Sequence, residues 1–388
     1  MAKSKSLPAL PFAVQGFRIA HFGGINETEI HGLPNSAKWI FLTGENGFGK
    51  TTVLQALAAN LYGDTSKWLS SIPQDFNIEI EMLANAAKAN RQFSKSDFFF
   101  FRLKHSEILP ICGYGSSRLN ISPFDEDKDL KNPIAGLFDT RTLLCNIELQ
   151  LSRWYFKKSD PEFKAKFDGV FKVLKKLLPI SQIRVDEKTD KVTYVEKDPE
   201  GKSYEAVEFS QLASGFKSII ALVGDLILRL FEMQPDIHDP AELEGIVLID
   251  ELDLHFHPNL QRELPAMLSD VFPKIQFIAS THSPIPILGA PEGSVFLTVR
   301  RSREEGITVH RINLDVSDLT PNLILTSPIF GFDNIFAETY QPNQRIRTED
   351  TFAEKNLTDQ VLERLKSFAS EDPAIYEQVF QEKPSAAR

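Results

Sequence analysis

The sequence predicts an α/β protein: a mixed core sheet flanked by helices, an N-terminal antiparallel β portion and an inserted, mainly helical lobe. Three observations predict it. Short apolar runs at 39–43, 246–249 and 275–279 have the length and composition of buried strands. The first two are each followed by a helix-period pattern, so strands and helices alternate. No heptad pattern persists, so no long coiled coil is expected.

In chain order, the strand at 39–43 runs into a turn-prone loop at 44–49. From Lys50 the residues Val53, Leu54, Leu57 and Leu61 recur at helical spacing. Residues 97–103, with Phe98-Phe99-Phe100-Phe101, read as a strand buried on both faces. Residues 153–176 are helical in composition and carry eight basic residues against three acidic ones. Residues 183–185 and 192–195 read as a β-hairpin around Lys188-Thr189-Asp190-Lys191. Ile219, Leu222, Val223, Leu226, Ile227 and Leu230 mark one face of a long helix, and 259–271 reads as a further helix between two strands. Residues 295–299 and 307–312 read as a strand pair near the end of the sheet; beyond about residue 340 the chain turns polar. The resulting division is 1–66 (β portion and glycine loop), 67–209 (inserted lobe), 210–315 (remaining core) and 316–388 (helical or loose tail).

At 388 residues, 42% hydrophobic and 25% charged, the chain suits one large or two-lobed globular unit with a sizeable core. A net charge of −10 excludes a surface that binds nucleic acid all round, while leaving room for a local basic patch. Cys112 and Cys145 form no disulfide framework, and a reducing cytosol is the expected compartment. The basic start Met1-Ala2-Lys3-Ser4-Lys5 lacks a following apolar stretch of secretory length. The richest apolar run, 218–231, contains Asp225 and Arg229, so no membrane span is expected.

Gly44-Glu45-Asn46-Gly47-Phe48-Gly49-Lys50-Thr51 fits G-x-x-x-x-G-K-[ST] in full, between a strand and a helix. Glycines let backbone N–H groups, from Asn46, Gly47 and Gly49 among others, converge on phosphates at the positive end of the following helix. Lys50 would reach the β- and γ-phosphates of ATP, the Thr51 hydroxyl would hold Mg²⁺, and Thr52 would touch the α-phosphate. Downstream, the apolar strand 246–249 ends in Asp250-Glu251. Adjacent carboxylates at a buried strand tip suit a metal and a water: Asp250 to bind Mg²⁺, Glu251 to polarise the attacking water.

Two further pieces narrow the family. Leu212-Ala213-Ser214-Gly215-Phe216-Lys217-Ser218, opening the long helix, resembles the signature sequence of ABC-class ATPases, and Ser280-Thr281-His282-Ser283-Pro284 resembles their switch-histidine segment. The order phosphate loop, signature, acidic strand, histidine is the ABC order over most of residues 15–315. Gly113-Tyr114-Gly115-Ser116-Ser117-Arg118, the run Asp250 to Pro258, and a signature ending in Phe216 rather than Gln resemble the RecF, SMC and OLD-like branch, which includes ATPases of bacterial phage-defence systems such as Septu and retrons.

The resemblance implies an ATP- and Mg²⁺-dependent ATPase in which Leu212, Ser214 and Gly215 bind the γ-phosphate held by the other protomer. Two ATP molecules would thus join a homodimer, with larger oligomers open. Asp253, His255 and His257 would lie in a loop crossing the dimer interface, and His282 would sense the γ-phosphate. The sequence departs from the family in its second-strand glutamine: Gln74 and Gln92 are both poor candidates, and Arg118 is expected near the site instead.

Rival readings remain for several residues. Ser214 also reads as an ordinary helix N-cap. Asp253-Leu254-His255-Phe256-His257 reads as a metal site if it is a strand, since alternating histidines then share a face. The basic stretch 153–176 reads as a DNA- or RNA-contacting face or as a solvated helical surface; without aromatics placed for stacking, the second is preferred. Two functions follow: a sensor or scaffold that controls a separate effector, a nuclease or toxin, or a RecF-like clamp acting on DNA in repair. The stretch after His282 reads as too short for the TOPRIM nuclease domain of some OLD-type relatives. A transporter ATPase subunit ranks third, and a switch that binds ATP and barely hydrolyses it stays open.

Overall fold

The computed structural model describes residues 7–63, 75–85, 87–94, 109–118, 121–122, 132–198, 200–313, 316, 319–331 and scattered positions between 357 and 364. The expected strand at 97–103, Gln74 and most of the tail lie outside them. The named elements belong to one compact unit, Met1–Asp333.

A ten-stranded sheet organises the molecule. One half is antiparallel and is built by β1 (Phe12–Phe22), β2 (Ile25–Ile30), β4 (Asn77–Ala84), β5 (Ala87–Ser94) and β13 (Gly306–Ile312). The other half is parallel: β3 (Trp39–Thr43), β6 (Ile111–Tyr114), β10 (Glu244–Ile249), β11 (Lys274–Ser280) and β12 (Val295–Ser302). The spatial order is β5-β4-β1-β2-β13-β12-β3-β11-β10-β6. The β12–β13 hairpin, expected near the end of the sheet, lies in its middle: β13 meets β2 and β12 runs parallel to β3, so the hairpin welds the halves together.

The apolar runs seen in the sequence are strands buried on both faces, and their alternation feeds two cores. Trp39, Phe41, Val247, Ile249, Phe277 and Ala279 face one core, while Ile40, Leu42, Ile246, Leu248 and Ile278 face the other. Helix α1 (Lys50–Tyr62) covers the second. The first is covered by α2 (Ile147–Phe156), α3 (Pro161–Leu177), α4 (Ser214–Met233) and α5 (Pro258–Val271). Trp39 stacks between Phe41 and Phe277, with ring centroids 5.2 and 4.7 Å away, and its indole N–H donates to Ser269 Oγ at 2.8 Å.

The span 67–209 supplies strands to both edges of the main sheet, β5 at one and β6 at the other. Its basic stretch is two helices, because Asp160 caps a new helix with Pro161 at its first position. The expected hairpin is β7 (Ile180–Val185) and β8 (Val192–Lys197), turned by Asp186 accepting from the Lys188 and Thr189 N–H groups; β9 (Ser203–Glu208) adds a third strand. Two short helices, α6 (Pro284–Leu288) and α7 (Pro321–Thr326), follow in the chain. Among the described residues, no helix is long and apolar enough to cross a membrane.

Asp225 and Arg229, the charges inside the apolar run of α4, form a buried pair at 2.6 Å, 0% and 3% exposed. Asp225 also accepts from the Tyr114 hydroxyl at 2.8 Å and the Cys145 N–H at 2.7 Å, while Arg229 donates to the Asn132 carbonyl at 3.2 Å. The pair thus ties α4 to β6. Removing one partner strands the other charge, so Asp225→Ala should cost about 3–5 kcal/mol in urea unfolding. A loss below about 1 kcal/mol would mean that Arg229 finds other partners or water.

Candidate active site

All five parallel strands deliver their C-terminal ends to one edge, where ligands bind in open α/β sheets. At the end of β3, Thr43 is buried and its hydroxyl bonds the Leu297 and Ile329 carbonyls. The chain then enters the glycine loop. A Cβ on Gly44 would lie 2.4 Å from the Val299 carbonyl oxygen, and one on Gly49 would lie 2.5 Å from Ile307 Cδ1, both at positive φ. The β12–β13 hairpin therefore presses on the loop so closely that only glycine fits. Asn46 and Gly47 are exposed at its tip, and Thr52 lies under the β1–β2 turn at Gly23.

Lys50 opens α1 and folds back, donating to the Gly44 and Glu45 carbonyls at 2.8 Å each. Burial lowers its ammonium to about 8, against the opposing pull of Asp250, Glu251 and Asp253. The Thr51 hydroxyl donates to Asp250 Oδ2 at 2.7 Å, bringing the phosphate loop and the acidic strand tip together. The other Asp250 oxygen accepts from Ser280 Oγ at 2.5 Å, and the same Ser280 oxygen accepts from the Glu251 N–H at 2.7 Å. Ser280, at the end of β11 and the start of the histidine segment, thus braces both acids.

Beyond the tip the chain forms turns, not a strand, so the alternation argument for a histidine metal site does not apply. Asp253 accepts from the Thr281 hydroxyl at 2.5 Å and the His282 N–H at 3.3 Å, and the His282 ring Nδ1 lies 3.2 Å from the Gly44 carbonyl. Phosphate loop, acidic tip and histidine therefore converge. His255 has φ 70; burial, then Arg118, lowers its pKa, with Glu251 opposing. His257 caps α5 through Nδ1, which accepts from the Asn259 N–H.

Arg118 sits among these groups, 1% exposed, and burial lowers its pKa to about 10 despite Asp250, Asp253 and Glu251. Gln92 does not approach them: it lies on β5, at the opposite edge of the sheet, and bonds Asn77. Arg301, which stands in no motif, donates to the Gly47 carbonyl at 3.2 Å.

The signature segment stands apart from this cluster. Leu212 is buried, Ala213 is the N-cap of α4, and Ser214 is the first helical residue, exposed. Its side chain makes no capping bond, so the N-cap reading is not adopted. Gly215 lies beside the 253–257 loop, with its Cβ direction 3.9 Å from the His255 carbonyl oxygen. Residues 212–215 and the 253–257 loop thus share one patch.

On the basic stretch, Lys164 pairs with Asp168 and Lys166 with Glu162. Aromatics are present here: Tyr155, Phe163, Phe167 and Phe171 pack partly into the core, with Lys158, Lys157 and Lys175 lying over three of their rings. Those faces are taken by the protein's own cations, which favours a solvated helical surface.

Comparison with known proteins bears on the same residues. Residues 83–285, just over half of the chain, match the family described as "AAA domain, putative AbiEii toxin, Type IV TA system". The chain is 27% identical over 376 residues to the Septu protein PtuA of Bacillus mycoides, covering 90% of this chain and 49% of that protein. It is 45% identical over 84 residues to the Retron Vc95 probable ATPase of Vibrio cholerae, covering 22% and 16%. The chain therefore spans about half the length of the Septu relative and less of the retron one. Among solved structures, an SMC head bound to the C-terminal winged-helix domain of ScpA aligns with 78% of this chain and 98% of that one, at 14% identity and TM-score 0.45.

Proposed function

This chain belongs to the AAA-domain family described as putative AbiEii toxin, type IV TA system, and from that premise we propose that it binds ATP with Mg²⁺, hydrolyses it to ADP and phosphate, and dimerises around two nucleotides to control a separate effector, a nuclease or toxin, in antiviral defence. The observation that carries the proposal is the Thr51–Asp250 hydrogen bond, which sets a hydroxyl and a carboxylate side by side with Glu251 next in the chain. That oxygen pair fits a hard divalent cation that keeps several waters. Thr51 and Asp250 would hold Mg²⁺, which when bound neutralises charge on the phosphate oxygens.

The chain's own groups do the rest. Backbone N–H groups of the glycine loop and the N-terminus of α1 cradle the triphosphate, and Lys50 leaves its loop carbonyls for the outer phosphates. Glu251 orients and polarises the water. His282, already beside Gly44, meets the γ-phosphate and links its loss to Asp253 and the interface loop. What supports the dimer is the uncommitted Ser214 hydroxyl: it is exposed at the start of a 20-residue helix, beside Gly215 and the 253–257 loop. A helix start of that kind binds an anion, and the anion at hand is the partner's γ-phosphate.

Ser214→Arg tests this reading. Turnover should fall by about 10²–10³-fold, the usual cost of losing one donor to developing charge, while ATP affinity of the monomer stays within about threefold. Lost nucleotide binding would instead place Ser214 at its own protomer's phosphates and remove the dimer mechanism. Recovery of tagged Glu251→Gln protein from its native cells identifies the effector; recovery of DNA alone, with binding that falls steeply with salt, would favour a repair clamp.

A further inference from the structure

We propose that Arg118 is a positioning residue: its guanidinium holds the backbone of Asp250 and Glu251 in the turn that aims the Glu251 carboxylate. The inference rests on the ATPase reading above and adds a residue to it.

Glu251 has φ 51. For a residue with a Cβ this left-handed conformation costs about 1–2 kcal/mol, so surrounding bonds must enforce it. Those bonds account for each backbone polar group of the acidic tip. The Asp250 N–H donates to the Tyr114 carbonyl at 2.7 Å, and the Glu251 N–H to Ser280 Oγ at 2.7 Å. Arg118 reaches both carbonyls: Nη1 donates to Asp250 O and Nη2 to Glu251 O, each at 2.5 Å, and Glu251 O also accepts from the Leu254 N–H at 3.0 Å. Nη1 also bonds the Gly115 carbonyl at 3.1 Å, which anchors the fork to its own loop. Two adjacent carbonyls spanned by two nitrogens of one planar group form a clamp that a lysine ammonium, a point donor on a flexible stem, cannot copy.

Packing alone does not explain this residue. Arg118 is among the largest fully buried side chains, and its Nε is buried without a hydrogen-bond partner. An apolar residue would fill the space without desolvating a cation. Nor is Arg118 half of a described ion pair: its bonds go to carbonyls, while the carboxylates of Asp250, Asp253 and Glu251 act on its charge from nearby. The Glu251 side chain has no described hydrogen bond, leaving its carboxylate free while its backbone is fixed on both sides.

The test compares Arg118→Lys and Arg118→Ala with the parent. Both should keep ATP dissociation constants within about threefold and lose roughly 100-fold in kcat, the cost of misplacing a reacting group by about 1 Å. Added ethylguanidinium should restore kcat of Arg118→Ala at least about tenfold without changing KM, because the missing group is a planar donor fork. Amide exchange at residues 250–252 should quicken about tenfold in Arg118→Lys while the global Tm holds. Unchanged exchange there, unchanged kcat in an active parent, or losses that track Tm with no guanidinium rescue would each overturn the proposal. A parent that hydrolyses no ATP fails the ATPase reading instead, and the exchange measurement still decides the role of Arg118.

Discussion

Glu251→Gln should bind ATP as the parent does and turn it over about 10²–10⁴-fold more slowly, the span a positioned general base supplies. The amide matches the carboxylate in shape but cannot take the proton of an attacking water. The fold around it should not change, because the Glu251 N–H is held by Ser280 and its carbonyl by Arg118, and neither bond uses the side chain. Slow hydrolysis then traps the ATP-bound state. Light scattering with Mg-ATP should give twice the monomer mass of 43.8 kDa, falling back as nucleotide is removed. A mass that is the same with and without Mg-ATP would rule out the sandwich dimer.

Lys50→Ala should abolish ATP binding at concentrations that saturate the parent. A charged hydrogen bond is worth about 1.5–3 kcal/mol, and losing an ammonium that spans two phosphates predicts at least a 100-fold loss of affinity. The fold should survive, since the Gly44 carbonyl still faces the His282 ring. The same residue sets a pH dependence. In the free protein the Lys50 pKa is lowered to about 8, and bound phosphates restore the charge. Binding therefore takes up a proton above that pH, so affinity is full below about 8 and weakens about tenfold per unit beyond it. For the free protein the sign is opposite: between about 8 and 10.5 the unfolded chain binds more protons, and stability rises with pH. Calorimetry in buffers of different ionisation enthalpy measures the proton directly; no uptake at pH 9 would mean that Lys50 is already charged when free.

Much of this site was legible locally. The phosphate loop, the acidic strand tip and the histidine are each contiguous, and each sits where a buried apolar run ends. Their neighbours were less visible. The alternation Ile78, Ile80, Met82 suits a strand, but nothing in it tells that β4 pairs between β1 and β5. Asp225 and Arg229 served to argue against a membrane span, while their partners, Tyr114 and the Cys145 N–H, are 111 and 80 positions from Asp225. Ser280 and Arg118 each close or open a family-like segment, but no local pattern names their partners; they matter through the carboxylate and carbonyls they meet.

The sequence by itself determined the α/β class, the alternation that builds two cores, and the residues of the glycine loop and acid pair, because each depends on residues within a few positions of one another. Only the tertiary structure decided that the late β12–β13 hairpin sits mid-sheet against the phosphate loop, that Asp253 reaches the histidine segment, and that Arg118 clamps the acidic tip. Those arrangements depend on strand order and register, and hydrogen bonds between groups 29 or 133 positions apart leave no periodic trace along the chain.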